Sequence, residues 1–149
     1  MIYEERRTLT HAKSAADYLE YCQTDLWPKL KAEGGQPLCL LSGLIGDPPN
    51  QYLQVTEFED AQAWEAAQNS VPPSPHDMVA SESVRLMQSI ASRPKTQVPK
   101  EDQRAVYGCR RFLINPADLP DFVNNSQNGI GPASNHRVPA FWGCGAPSQ

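Results

Sequence analysis

Val106-Tyr-Gly-Cys-Arg-Arg-Phe-Leu113 repeats Ile2-Tyr-Glu-Glu-Arg-Arg-Thr-Leu9 at an offset of 104 residues, and this correspondence decides how the chain is organised. Tyr3 aligns with Tyr107, Arg6 with Arg110, Arg7 with Arg111 and Leu9 with Leu113. Beyond the strand-like openings, Asp17 meets Asp121, Gln23 meets Gln127 and Pro28 meets Pro132. Seven identities across positions 2–28 exceed the roughly one or two of chance and mark an internal repeat. The expected layout is a full first module over residues 1–92, a polar proline-bearing linker over 93–103 and a partial second module over 104–149.

Working outward from the first copy, residues 2–9 read as a strand. Ser14 and Asp17 have capping-box spacing, and Ala15, Tyr18, Leu19, Cys22, Leu26 and Leu30 form one helical apolar stripe. Pro28 should kink this helix and Gly34-Gly35 should end it. Residues 37–44 form a short apolar strand, Gly46-Asp-Pro-Pro-Asn50 a turn, and residues 51–58 a further strand. In that strand Leu53 and Val55 share one face, and Tyr52, Thr56 and Phe58 the other. Asp60 caps a second helix that carries Ala61, Trp64 and Ala67 towards a core. Residues 78–91 fit a strand and a helix almost equally well. In the second copy a strand is expected over 105–113, a helix over 116–128 started by Asn115 and Pro116, and a strand over 138–144.

The 149 residues carry 13 Lys and Arg against 17 Asp and Glu, a net charge of −4. With 40% hydrophobic residues this suits a soluble globular chain, and the acidic balance argues against a nucleic-acid partner. No apolar run reaches the ~20 residues of a membrane span, and the N-terminus lacks a signal-peptide core; the expected location is the cytoplasm. Cys22, Cys39, Cys109 and Cys144 are too scattered for a C-x-x-C motif, and His11, His76 and His136 lack ligand spacing. No metal and no cofactor are expected. Phosphate-binding, dinucleotide-binding and hydrolase motifs are absent, and the acidic residues are too dispersed to nominate a catalytic pair.

A strand–helix–strand–strand–helix order with a closing strand is the ferredoxin-like α+β plan. Ile2-Tyr-Glu-Glu-Arg-Arg7, Gly46, Asn50-Gln-Tyr-Leu-Gln-Val-Thr-Glu-Phe-Glu-Asp60 and Val106-Tyr-Gly-Cys-Arg-Arg-Phe112 together resemble the NIPSNAP family, within the dimeric α+β-barrel superfamily. Glu5 stands where that family more often has an aliphatic residue, and the second module is cut short. The resemblance implies two helices on one sheet face of each module, and opposite faces of two modules enclosing a barrel-like cavity. It also implies that residues 82–91 are the closing strand. The pairing partner is a second chain or the second module of the same chain.

Strand parity puts Glu4, Arg6 and Thr8 on one face and Tyr3, Glu5, Arg7 and Leu9 on the other; the repeat adds Gly108, Arg110 and Phe112 to the first. With Tyr3, Leu9, Tyr107 and Leu113 packed under helices, Arg6 and Arg110 would point into the barrel cavity, on the side away from the helices. A guanidinium there needs a carboxylate or an anionic ligand, and Glu4 is the expected partner of Arg6. Glu4, Arg6 and Arg110 are therefore the candidate ligand-binding residues. His11 is expected at a turn or helix start, and Trp27, Trp64 and Trp142 in core or interface. Two function classes follow: a protein that binds a small molecule or another protein, and a cofactor-independent oxygenase or isomerase working in the cavity. The unfinished second module predicts that residues 129–149 are the least ordered, and that the chain self-associates through strand 138–144 or belongs to a longer protein.

Overall fold

The computed structural model describes residues 1–89, 101, 103–109, 111–128 and 144–145. The chain divides into two compact units, Met1–Ser89 and Ile90–Gln149. In the first, β1 (Ile2–Thr10) leads through a 3-10 turn at Ala12–Ser14 to α1 (Ala15–Tyr21), a π-helical turn (Cys22–Leu26) and α2 (Trp27–Ala32). Then come β2 (Gln36–Ser42), β3 (Gln51–Phe58), α3 (Ala61–Ser70) and β4 (Val79–Met87). The sheet order is β2-β3-β1-β4 with every neighbour antiparallel. This is the ferredoxin-like α+β arrangement, in which two split βαβ crossovers interleave. Within the ambiguous stretch 78–91, Val79–Met87 is a strand, which begins earlier than the expected 82. Its pairing with β1 runs from Tyr3↔Met87 to Thr10↔Val79, so tertiary hydrogen bonding settles what local pattern leaves tied.

Pro28 acts one turn earlier than a simple kink. Its ring would crowd the carbonyl four residues back, and the helix widens just before it, with the Trp27 N–H donating to the Cys22 carbonyl. The widened turn keeps Cys22, Leu26 and Leu30 all buried against the sheet, with Tyr18 one turn above. Leu19 departs from the expected stripe and is 40% exposed. Ser14 occupies the start of α1 but makes no side-chain cap; it is buried behind the 3-10 turn instead. At the other end Gly35 N–H donates to the Leu30 carbonyl at 2.8 Å and Gly34 N–H to the Lys31 carbonyl at 3.2 Å, with Gly34 at φ +81°. These two bonds and the left-handed glycine stop the helix.

Asp60 caps α3 as expected, its carboxylate accepting from Ala63 N–H at 2.9 Å. Ala67 is fully buried and Trp64 half-buried, whereas Ala61 faces solvent rather than the core. Replacing Asp60 with alanine will destabilise the first unit by about 1 kcal/mol, the usual cost of losing a helix N-cap. Urea unfolding followed by circular dichroism checks it, and an unchanged midpoint would show the cap to be idle.

In the second unit β5 (Gly108–Cys109) pairs antiparallel with β6 (Cys144–Gly145). A 3-10 turn at Pro116–Asp118 leads into α4 (Leu119–Asn128). Asn115 starts that turn, accepting from Ala117 N–H at 3.1 Å, and the Phe112 and Phe122 rings lie 5.3 Å apart. Among the described residues of the expected strand over 105–113, Gly108 and Cys109 are the ones in ladder pairing. Arg110, Phe141, Trp142, strand positions 138–143 and the tail at 129–143 and 146–149 lie outside the described residues. Among the described residues no helix is long and apolar enough to cross a membrane, and no group of His, Cys, Asp or Glu has the arrangement of a metal site.

Candidate functional site

The two faces of the first sheet are used the opposite way from the parity assignment. Thr8 accepts from the Tyr18 hydroxyl of α1 at 3.1 Å, and Glu4 accepts from the Trp64 indole of α3 at 2.6 Å. On β3, the Gln54 amide oxygen accepts from the Trp27 indole at 3.0 Å, and the Tyr52 hydroxyl donates to the Ala15 carbonyl at 2.9 Å. Glu4, Arg6, Thr8, Gln54 and Thr56 therefore lie under the helices. Tyr3, Glu5, Arg7 and Leu9, with Leu53 and Val55, lie on the other face. Arg6 does not point away from the helices. The expectation failed because it equated the helix-facing side with the apolar set, whereas this chain buries a hydrogen-bonded polar set there. Glu4 is 1% exposed, Thr8 1%, Gln54 2% and Thr56 0%. Such a layer is stable only when its members satisfy one another.

Arg6 stands at the centre. Its Nε donates to Glu4 at 2.7 Å, Nη1 to Glu82 at 2.6 Å and Nη2 to the Gln68 amide oxygen at 3.0 Å. The expected Glu4–Arg6 pair is present, joined by a second carboxylate from β4 that sequence spacing does not reveal. Glu4 also accepts from Gln68 Nε2 at 3.1 Å. Glu82 accepts from Thr8 at 3.1 Å and from the Ser74 hydroxyl at 2.9 Å. Burial works against the charged guanidinium, but the hydrogen bond to Glu4 and the charges of Glu4 and Glu82 outweigh it and raise the Arg6 pKa above its ordinary value. Arg6 is a permanent cation here.

The network opens onto a cavity of about 290 Å³ on the helix side of the sheet. Arg6, Gln68, Ser74 and Glu82 supply its polar wall. Leu26 and Leu30 from the long helix, Val84 from β4, and Val71, Pro72 and Pro73 after α3 supply the apolar wall. The volume is at the lower end of the ~300–1,000 Å³ usual for ligand pockets, and the mixture of an apolar wall with a few convergent polar groups is their usual chemistry. The π-helical turn matters to the site because Leu26, its last residue, forms part of the wall.

The nearby groups that could serve as nucleophiles are held neutral. Burial pushes the Cys22 thiol up to about 11, and burial with the adjacent Cys22 drives the Tyr18 phenol above its ordinary value. His11 lies outside the network: it begins the 3-10 turn, its N–H donating to the Met78 carbonyl and its carbonyl accepting from Ser14, both at 2.9 Å. Glu82, Gln68 and Ser74 were not singled out in the sequence, and Trp64 was expected only as a core or interface residue. The signal that finds Glu82 is the β1–β4 register, Thr8↔Glu82 and Arg6↔Val84, which only the folded sheet supplies.

On the opposite face Arg7 makes a parallel arrangement, donating to Glu5 and to Asp47 at 3.0 Å each. Glu5 accordingly neutralises a neighbouring cation.

No protein-family model matches the chain in sequence, and no curated protein does. Solved structures do match in fold. A NIPSNAP family protein of unknown function from Agrobacterium tumefaciens superposes with a TM-score of 0.55 at 16% identity, covering 64% of this chain and 94% of that one. A NIPSNAP-like domain protein from Burkholderia xenovorans gives 0.54 at 14% identity over 67% and 96% of the two chains. A second, a NIPSNAP domain protein from the same organism, gives 0.52 at 12% over 64% and 100%. The chain thus has a ferredoxin-like α+β fold. More narrowly, the fold is NIPSNAP-like.

Proposed function

We propose that this chain is a small-molecule-binding protein and that its site is the helix-side cavity walled by Arg6, Glu82 and the apolar residues around them. The observation that carries this reading is the contiguity of a ligand-sized space with a hydrogen-bonded polar cluster. Glu4 and Arg6, chosen from the sequence as ligand-binding candidates, belong to it in different ways. Arg6 lines the space, and Glu4 holds Arg6 from behind. Arg110 lies outside the described residues and has no part in the proposal. Fold likeness supplies no activity, because one fold hosts many functions. An enzymatic role is the weaker reading here: Cys22 and Tyr18 are held protonated, and Glu4 and Glu82 already accept three hydrogen bonds each from side chains.

Cyclohexylmethanol, with an apolar ring and one hydroxyl, is a suitable probe of the cavity. Titration into the full chain, followed by amide chemical shifts, will perturb residues on the cavity wall. Val84→Trp places an indole in the space at a position 39% exposed, so the fold tolerates it. Binding will weaken at least tenfold in that variant, and equal binding by both proteins would remove the cavity as the site.

A further inference from the structure

The charges around the cavity select among ligands. Resting on the reading of this cavity as the binding site, we propose that its ligand is an amine: a small apolar body carrying an ammonium group that donates to Glu82.

Arg6 is the cation of the wall, and it is already committed to two carboxylates, Glu4 at 2.7 Å and Glu82 at 2.6 Å. One guanidinium against two carboxylates leaves the cluster with a net charge of −1. An anionic ligand would have to compete with both for Arg6, and would approach Glu82 without a counter-charge of its own. A cation meets the opposite situation. Each carboxylate oxygen has two acceptor positions. On Glu82, Oε1 is filled by Thr8 and Ser74, whereas Oε2 takes one described bond, from Arg6 Nη1. The remaining position on Oε2 belongs to a wall residue whose side chain is 23% exposed, so a donor can reach it. Glu4, at 1% exposure, is out of a ligand's reach and acts through its charge alone. Opposite these groups Leu26, Leu30, Val71 and Val84 offer the ligand's body an apolar wall. Charge-assisted bonds from an ammonium to a carboxylate are shorter and stronger than neutral ones, which makes the amine the favoured member of a matched series.

Three probes of one shape separate charge from cavity: cyclohexylmethylamine, cyclohexylmethanol and cyclohexanecarboxylate, titrated into the full chain by calorimetry at low salt and at 0.5 M NaCl. The expected order is amine over alcohol by at least fivefold, with the carboxylate weakest. The amine's advantage should shrink in high salt while the alcohol is unaffected. Glu82→Gln brings the cluster to zero net charge at nearly constant shape, and it should bring amine and alcohol within twofold of each other. Equal binding of all three probes to the unaltered protein, or tightest binding of the carboxylate, would overturn the charge inference and leave the cavity standing. Binding of none of them would overturn the cavity reading as well. Should Glu82→Gln fail to fold, the ranking and salt dependence in the unaltered protein decide alone.

Discussion

Replacing Glu4 with alanine will destabilise the first unit by about 3 kcal/mol, the lower part of the ~3–5 kcal/mol found when one partner of a buried charge pair is removed. The carboxylate is 1% exposed and accepts from Arg6, Trp64 and Gln68 at 2.7, 2.6 and 3.1 Å. Its loss strands the Trp64 indole N–H and one Gln68 donor beneath α3. It also leaves Arg6 leaning on Glu82 and Gln68. The Arg6 side chain is 15% exposed, so water recovers part of the cost, which is why the lower figure applies. Glu4→Gln keeps an acceptor for the indole and should cost roughly half as much. Because Glu4 and Arg6 belong to one network, the double replacement Glu4→Ala with Arg6→Ala will fall short of the sum of the two single effects by about 1 kcal/mol or more. Urea unfolding of the four proteins closes that cycle. A Glu4→Ala protein within 0.5 kcal/mol (roughly the usual range for an indifferent surface site) of the parent would mean the network contributes little to folding.

The order of elements was legible in the sequence for a simple reason. Asp60 at the cap of α3 and Gly34-Gly35 at the stop of α2 are local signals that need no tertiary context. The turn between β2 and β3 is written in Gly, Pro and Asn. The last strand was not legible from local pattern. Val79–Met87 is an edge strand with most of its side chains exposed, so neither face imposes an apolar alternation. Its identity comes from ladder pairing with β1, far away in sequence.

The site was half legible. Arg6 with Glu4 two residues away on a strand is a same-face pair by geometry alone, and the structure contains it. Which face they share was not legible, because hydrophobicity is a poor guide where the layer between sheet and helices is polar. Thr8, Gln54 and Thr56 look like surface residues in the sequence, yet they are buried because Tyr18 donates to Thr8, Trp27 to Gln54 and Gln54 in turn to Thr56. The indoles of Trp27 and Trp64 show the same inversion: each fills apolar space, as expected, and each also spends its N–H on a buried acceptor. The partner that gives the cluster its net charge, Glu82, comes from the strand that was hardest to read, so the charge of the site could not be counted before the register was known.

Stability will fall steeply above pH 9, and Cys22 will account for the first part of the loss. Its thiol is fully buried, and burial foremost raises its pKa from 9.0 to about 11. The folded form therefore prefers the protonated thiol, while the unfolded chain ionises from about pH 9. The stabilisation is complete below pH 9 and disappears as the pH rises through 11. At about 1.36 kcal/mol per pKa unit the loss reaches ~2–3 kcal/mol. Tyr18, raised chiefly by burial above its ordinary value of 10.0, adds a further loss in the same direction beginning about one unit higher. Urea midpoints from pH 7.5 to 10.5 will show the decline. Cys22→Ala should cost about 1 kcal/mol at neutral pH, by leaving a small void, but hold nearly level between pH 8 and 10. Parallel declines in the two proteins would assign the alkaline loss elsewhere. The same burial has a chemical consequence at neutral pH. A thiol with pKa near 11 is about one part in ten thousand thiolate at pH 7, so Cys22 should resist a disulfide reagent in the folded protein while exposed Cys109 reacts. Rapid modification of Cys22 in the native state would restore a nucleophile beside the cavity, and with it the case for an enzyme over a binding protein.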